Sequence, residues 1–215
     1  MMRACRFALF VLLLAIPAAH AQRASLTEVP PVQAVTAQNG MVVAQEARAA
    51  RIGAEILKKG GNAVDAAVAV GFALAVTYPR AGNIGGGGFM LIHLAARNAQ
   101  IAIDYRETAP AATTPQTFLD ATGEADPQRS RDLGPAIGVP GTVAGLALAH
   151  RKYGSGRFKL ADLLKPAIEL ARNGFPVDTD LADSLPSAAP RFARWPSSDK
   201  IFLKSNGEAL REGDT

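Results

Sequence analysis

Three hydrophobic patterns succeed one another along the chain. In segment 46–59, Ala49, Ile52, Gly53, Ile56 and Leu57 recur at the i, i+3, i+4, i+7, i+8 spacing of one helix face. Glu46 opens that segment and Lys58 and Lys59 close it, the charge order that suits a helix dipole, and Gly60-Gly61 stops it. Asn62 restarts the chain as an N-cap, with Asp65 three residues on as a short version of a capping box. Segment 63–76 is apolar at almost every position, which predicts a helix covered on all sides, ended by Tyr78-Pro79. It is too short, and with Asp65 too polar, to span a bilayer.

Past a glycine run the pattern turns strand-like. Segments 89–94 and 101–105 read as two strands with a turn over 96–100, and 41–44 reads as a further short strand. Residues 107–138 read as irregular, and 142–153 as a helix closed by Gly154. Leu160, Leu163, Leu164, Ala167, Ile168 and Ala171 give another helical face, begun or kinked at Pro166 and ended by Asn173-Gly174. From Phe175 the chain reads as loop-rich, with a strand candidate at 201–203. No internal repeat is found. Two helices, two strands, then helices make an α+β order rather than the alternation of a doubly wound parallel sheet.

The first residues stand outside this pattern. Arg3 and Arg6 precede the apolar run FALFVLLLAIP, and Ala19-His20-Ala21 follows it. That is the charged start, apolar core and small-x-small site of a secretory signal peptide cut after Ala21, and the run is short for a membrane span. Residues 22–40 form a polar, proline-containing lead segment ahead of 41–215. The expected location is periplasmic or secreted, with no membrane attachment after cleavage. Cleavage removes Cys5, the one cysteine, so neither disulfides nor cysteine-bound metal are expected. The chain's 215 residues, 48% hydrophobic, suit one domain with a real core. Its net charge of +4 falls by two with Arg3 and Arg6. No run of the remaining basic residues is interleaved with aromatics, which argues against a nucleic-acid partner.

The conspicuous motif is Gly85-Gly86-Gly87-Gly88. A phosphate loop needs Lys and Ser or Thr directly after its last glycine, opening a helix; here Phe89-Met90-Leu91-Ile92 follows. A dinucleotide site needs strand, glycines, helix, and here the order is reversed. The glycines therefore read as a place where backbones come close. Histidine chemistry is sparse: past the signal only His93 and His150 remain, and neither HExxH nor GxSxG occurs. The remaining candidate is DYRETAP, where Arg106 sits at a strand end. A guanidinium there either grips a carboxylate with two parallel hydrogen bonds or forms a surface ion pair with Asp104 or Glu107.

The segments GGNAVDAAVAVGFALAVTYPRAGNIGGGGFMLI, AIDYRETAP and GVPGTVAG, followed by LKPAIELARNGFPV and EGDT, resemble the γ-glutamyltransferase (γ-glutamyltranspeptidase) family from about Met41 to Thr215. The resemblance implies an N-terminal-nucleophile hydrolase, a four-layer αββα sandwich of which this chain holds part. It implies a precursor that cuts itself into two subunits, and a small-subunit N-terminal threonine that takes the γ-glutamyl group from glutathione or a similar donor. Water or an acceptor amino acid or peptide then removes that group. The threonine's own α-amine serves as base, so histidine is not needed, and no cofactor or metal is implied. By position, Arg106 matches the family arginine that binds the α-carboxylate of the γ-glutamyl group, with Tyr105 where the family usually has Phe, and Glu107 beside it helps to position the group. The catalytic residues are expected downstream, none of them in these 215 residues, and the fragment alone is expected to be inactive. Alternatives are a related amidase (cephalosporin acylase-like or poly-γ-glutamate-processing) and a secreted, non-catalytic binding protein.

Overall fold

The computed structural model describes residues 33–215, so the signal segment 1–21, Cys5 and most of the lead segment lie outside the described residues. Residues Asn39–Thr215 form one compact unit. Its first helix, α1 (Ala47–Lys58), buries Ala49, Gly53 and Ile56 along the predicted face. Glu46 caps it: its carboxylate, 2% exposed, accepts from the Arg48 amide at 2.9 Å, the Ala49 amide at 3.0 Å and Arg48 Nη1 at 2.9 Å. Burial raises the pKa of this carboxyl, but the two amides, the Thr77 hydroxyl and the guanidinium outweigh it and hold the group below its ordinary value.

Helix α2 (Ala63–Thr77) is the centre of the unit and packs against α1, α3 (Thr142–Tyr153) and α4 (Leu160–Asn173). The expected capping box is present. Asn62 Oδ1 accepts from the Val64 and Asp65 amides, and Asp65 Oδ2 accepts from the Asn62 amide at 3.0 Å. Val64, Val68, Ala69 and Phe72 are buried with Leu146, Ala149, Leu163 and Ala167 of the other helices. The cover is not complete, for Ala63 and Ala67 are exposed along one strip. On α4, only Leu163 and Ala167 are buried, while Ile168 and Ala171 point to solvent. The strip that meets α2 is thus narrower than the apolar face in the sequence. Pro166 lies inside α4 and neither begins nor ends it; it removes one rung of the helix ladder.

Strand β1 (Phe89–Leu94) pairs antiparallel with β2 (Ala99–Asp104), in a register that sets Ile92 opposite Ile101 and Phe89 opposite Asp104. The turn between them is a short 3-10 segment, Ala95–Arg97, completed by Asn98 at φ 44°, so β2 starts two residues earlier than the pattern suggests. Period-two alternation sends Ile92 and Ile103 into the helical core and leaves Leu91 83% exposed on the other face.

Three expectations are overturned. Segment 41–44 is not a strand; Val42 lies on the helices, its methyls over Gly53 and packed with Ile52 and Val70. The region from Phe175 is not mainly loop, nor is 201–203 a strand. It folds as α5 (Thr179–Phe192) and α6 (Pro196–Phe202), with only an isolated bridge from Leu203 to Ala209. Asp178 caps α5 by accepting from the Leu181 amide at 2.8 Å, and Leu181 and Leu185 join Val177 in a satellite core. Pro186 and Pro190 lie within α5 and hide it from a reading that treats proline as a breaker. Among the described residues, no helix is long and apolar enough to cross a membrane.

Candidate functional site

The site is built where β2 runs out. Beyond Asp104 the ladder continues by one residue: the Tyr105 amide donates to the Gly88 carbonyl at 3.0 Å, and the Gly88 amide donates back at 3.3 Å. Arg106 and Glu107 then leave the sheet between two glycine-rich walls. On one side, a Cβ on Gly87 would stand 2.7 Å from the Glu107 amide and 2.8 Å from Glu107 Oε2. On the other, a Cβ on Gly138 would come within 2.9 Å of Glu107 Cβ. Val139 and Thr108 bridge that second wall to the chain, with the Val139 amide donating to the Thr108 carbonyl at 2.8 Å. The walls are tied to each other as well. The Gly86 carbonyl accepts from the Gly141 amide at 2.8 Å and the Thr142 amide at 3.0 Å, the first amides of α3, which have no partner within their own helix.

The glycine run therefore performs the close approach read from its sequence, and its near neighbour is the chain that carries Arg106. The three segments GNIGGGG, DYRE and GVPG, separate in sequence, converge on one point. The Arg106 amide donates to Asp104 Oδ1 at 2.9 Å. Its guanidinium Nε lies 3.2 Å from Glu107 Oε2, and Cζ lies 5.9 Å from the centre of the Phe89 ring. Of the two acids flanking it in sequence, Glu107 is thus the one that meets the guanidinium, and Asp104 holds the backbone. The arginine side chain is 62% exposed and that of Glu107 34%, so the pair contributes little to stability and mainly aims the guanidinium. Arg106 and Glu107 line a cleft of about 300 Å³ together with Thr108, Phe118 and Ile137.

Among the described residues, His93 and His150 stay away from this point. His93 pairs with Gln100 across the strands at 2.9 Å, and His150 Nε2 meets the Phe158 carbonyl at 2.9 Å. Tyr105 is half-buried, and burial pushes its phenol pKa up. The convergence of Gly141 and Gly145 on Tyr105 is not visible in the sequence, since it depends on how α3 docks.

A model of the γ-glutamyltranspeptidase family matches residues 49–215, most of the chain. The chain belongs to the γ-glutamyltranspeptidase family. It is 49% identical over 181 residues to the glutathione hydrolase proenzyme of Escherichia coli, covering 84% of this chain and 31% of that protein. The crystal structure of Helicobacter pylori γ-glutamyltranspeptidase is similar with a TM-score of 0.79 at 46% identity, over 85% of this chain and 51% of that one. A cephalosporin acylase from Bacillus halodurans is similar with a TM-score of 0.70 at 30% identity, over 87% of this chain and 35% of that one. The chain spans about a third of the length of the curated relatives it matches. All three convergent segments lie inside the family match.

Proposed function

We propose that this chain supplies the donor-carboxylate site of a γ-glutamyltransferase that moves or hydrolyses the γ-glutamyl group of glutathione and related compounds. The observation that carries the proposal is the Arg106 guanidinium, held by Glu107 in the lining of a cleft and still open to solvent on most of its surface. A guanidinium fork matches a carboxylate with two parallel hydrogen bonds, worth about 1.5–3 kcal/mol as a charge-assisted contact. It fixes one end of the γ-glutamyl group, so the γ-carbonyl is presented at a set distance. Glu107 orients the fork through its contact with Nε.

The chemistry is that of a threonine at the N-terminus of a small subunit from the same precursor. Its Oγ forms a bond to the γ-carbonyl carbon, its α-amine takes the hydroxyl proton, and the carbon–nitrogen bond breaks as the leaving amine receives that proton. Water or an acceptor amine then takes the acyl group and returns the threonine. In this reading, the helix layer and two-stranded sheet are part of a four-layer αββα sandwich, and the enzyme works in the periplasm or outside the cell. The likeness to a cephalosporin acylase keeps a related amidase in view, but an arginine aimed in this way favours donors with a free α-carboxylate.

The test is the kinetics of the full-length, processed protein on a chromogenic γ-glutamyl anilide. Arg106→Ala should raise KM by about 10- to 100-fold, the equivalent of the lost contact. Arg106→Lys should restore little, since a point charge lacks the fork. Unchanged kinetics in both variants would remove Arg106 from the site.

A further inference from the structure

The main chain that carries Arg106 leaves the sheet at Tyr105, and Tyr105 is wedged. Tyr105 is enclosed by four glycines from two segments. A Cβ on Gly87 or on Gly141 would collide with the Tyr105 carbonyl oxygen. One on Gly88 would stand 3.0 Å from the ring edge. One on Gly145, in the first turn of α3, would overlap the root of the ring, 2.5 Å from Tyr105 Cβ and Cδ1 and closer still to Cγ. The ring is also pinned at its tip, where Oη donates to the Phe89 carbonyl at 3.4 Å. Phe89 is the residue whose own ring lies under the guanidinium.

Gly145 and Gly88 differ from the other two in what they meet. The nearest atoms to Gly87 and Gly141 are main chain, whereas Gly145 and Gly88 face the Tyr105 side chain, rooted one residue from Arg106, and Gly145 meets it far more closely. Its helix cannot retreat freely, because the Gly141 and Thr142 amides hold the Gly86 carbonyl. A methyl at position 145 must therefore push Tyr105, and with it the end of β2. Glycine costs helix stability by about 0.5–1 kcal/mol relative to alanine, so a glycine in the first turn of a helix, with no positive φ to require it, calls for a reason of this kind.

We infer that Gly145 is a positioning residue for the donor site: the missing side chain at 145 seats the Tyr105 ring, and the seated ring sets the direction of Arg106. The inference rests on the donor-carboxylate role proposed for Arg106. A misdirected fork loses part of its charge-assisted contact with the donor's α-carboxylate, a contact made in ground state and transition state alike. Gly145→Ala should accordingly raise KM for a γ-glutamyl anilide by about tenfold while kcat changes by less than about threefold, because the acyl-transfer groups themselves are untouched.

The experiment is a cycle of wild type, Arg106→Ala, Gly145→Ala and the double variant in the full-length protein. Each is assayed on the γ-glutamyl anilide and on the 4-aminobutyryl anilide, which lacks the α-carboxylate. Action through Arg106 predicts that Gly145→Ala has little further effect in the Arg106→Ala background, and little effect on the donor without a carboxylate. Additive losses, or equal losses on both donors, would overturn the inference and leave a merely structural glycine. If Arg106→Ala itself left KM unchanged, the donor-carboxylate reading would fall first and this inference with it. Should Gly145→Ala fail to fold or process, Gly88→Ala decides, since its methyl meets the same ring more gently. A smaller KM rise confined to the carboxylate-bearing donor supports the wedge, and an unchanged KM refutes it.

Discussion

Asp65 offers a direct test of what holds the site's framework in place. It is fully buried, and its carboxylate does more than cap α2. Besides the Asn62 amide at 3.0 Å, it accepts from the Ser155 amide at 3.1 Å, in the loop just after α3. The Asn62 side chain reinforces the same junction by donating to the Tyr153 carbonyl at 2.8 Å. One end of α3 is thus tied to α2 through Asp65, while its other end holds the Gly86 carbonyl beside Arg106. Asp65→Ala strips the acceptor from two backbone amides. A buried donor left without its partner costs about 1–3 kcal/mol. Both amides are only partly buried, so water recovers some of this, and about 2–4 kcal/mol of local stability should be lost. At 1.4 kcal/mol per tenfold, amide-exchange protection near residues 62–66 and 153–157 should fall by about 30- to 700-fold. Hydrogen exchange read by mass spectrometry on the full-length protein resolves such segments, and α5, which belongs to a separate satellite core, serves as the internal control. Protection in both segments within about threefold of wild type would refute the clamp. So would an equal loss in α5, because the effect would then be global.

Glu46→Gln should matter most above pH 4.5, the ordinary value of its carboxyl. The folded-state pKa lies below that value, so the carboxylate's contribution is present above it and is lost as pH falls through the folded pKa; the Tm gap between variant and wild type should therefore narrow under acid, and a pH-independent gap would contradict the assignment. Leu163→Ala removes a fully buried side chain between α4 and α2, with an expected loss of about 2–5 kcal/mol in denaturant titration; a loss under about 1 kcal/mol would mean that the site collapses to fill the space. Intact masses of the product expressed from its native locus should show two chains, the larger beginning at Gln22 and the smaller at a threonine; a single unprocessed chain would count against a self-cleaving precursor.

Which parts of this molecule can be read from the chain follows from the range of the interactions involved. Caps are legible because their donors and acceptors lie within a few residues: Asn62 with Asp65, Gly154 after α3, and Gly174, whose φ of 75° ends α4. The α5 helix is missed because local rules set Pro186 and Pro190 against the Leu181, Leu185 spacing, and burial against Val177 and Phe202 decides the matter. Segment 41–44 is misread for the converse reason. Its apolar residues suit a strand, but their partners are helices that no local pattern announces.

The candidate site lies between these cases, and the glycines show why. Local context suffices to reject a phosphate role for residues 85–88, since the following residues form a strand instead of a helix. It cannot say what the glycines approach, because the answer stands 17 or more residues away, at Tyr105 and at the start of α3. A lone exposed arginine at a strand end carries little information by itself, as most such side chains are simply solvated. What changes its meaning is that the chain through Tyr105 and Glu107 has no spare room on either side: Gly87, Gly138, Gly141 and Gly145 each lack a side chain where one would strike it. A surface ion pair needs no such enclosure, since a solvated pair is equally well made over several angstroms of backbone freedom. A guanidinium that must meet both oxygens of a carboxylate does need it. The crowding of the main chain beneath Arg106, more than the charge of Arg106 itself, is the structural argument for a binding site there.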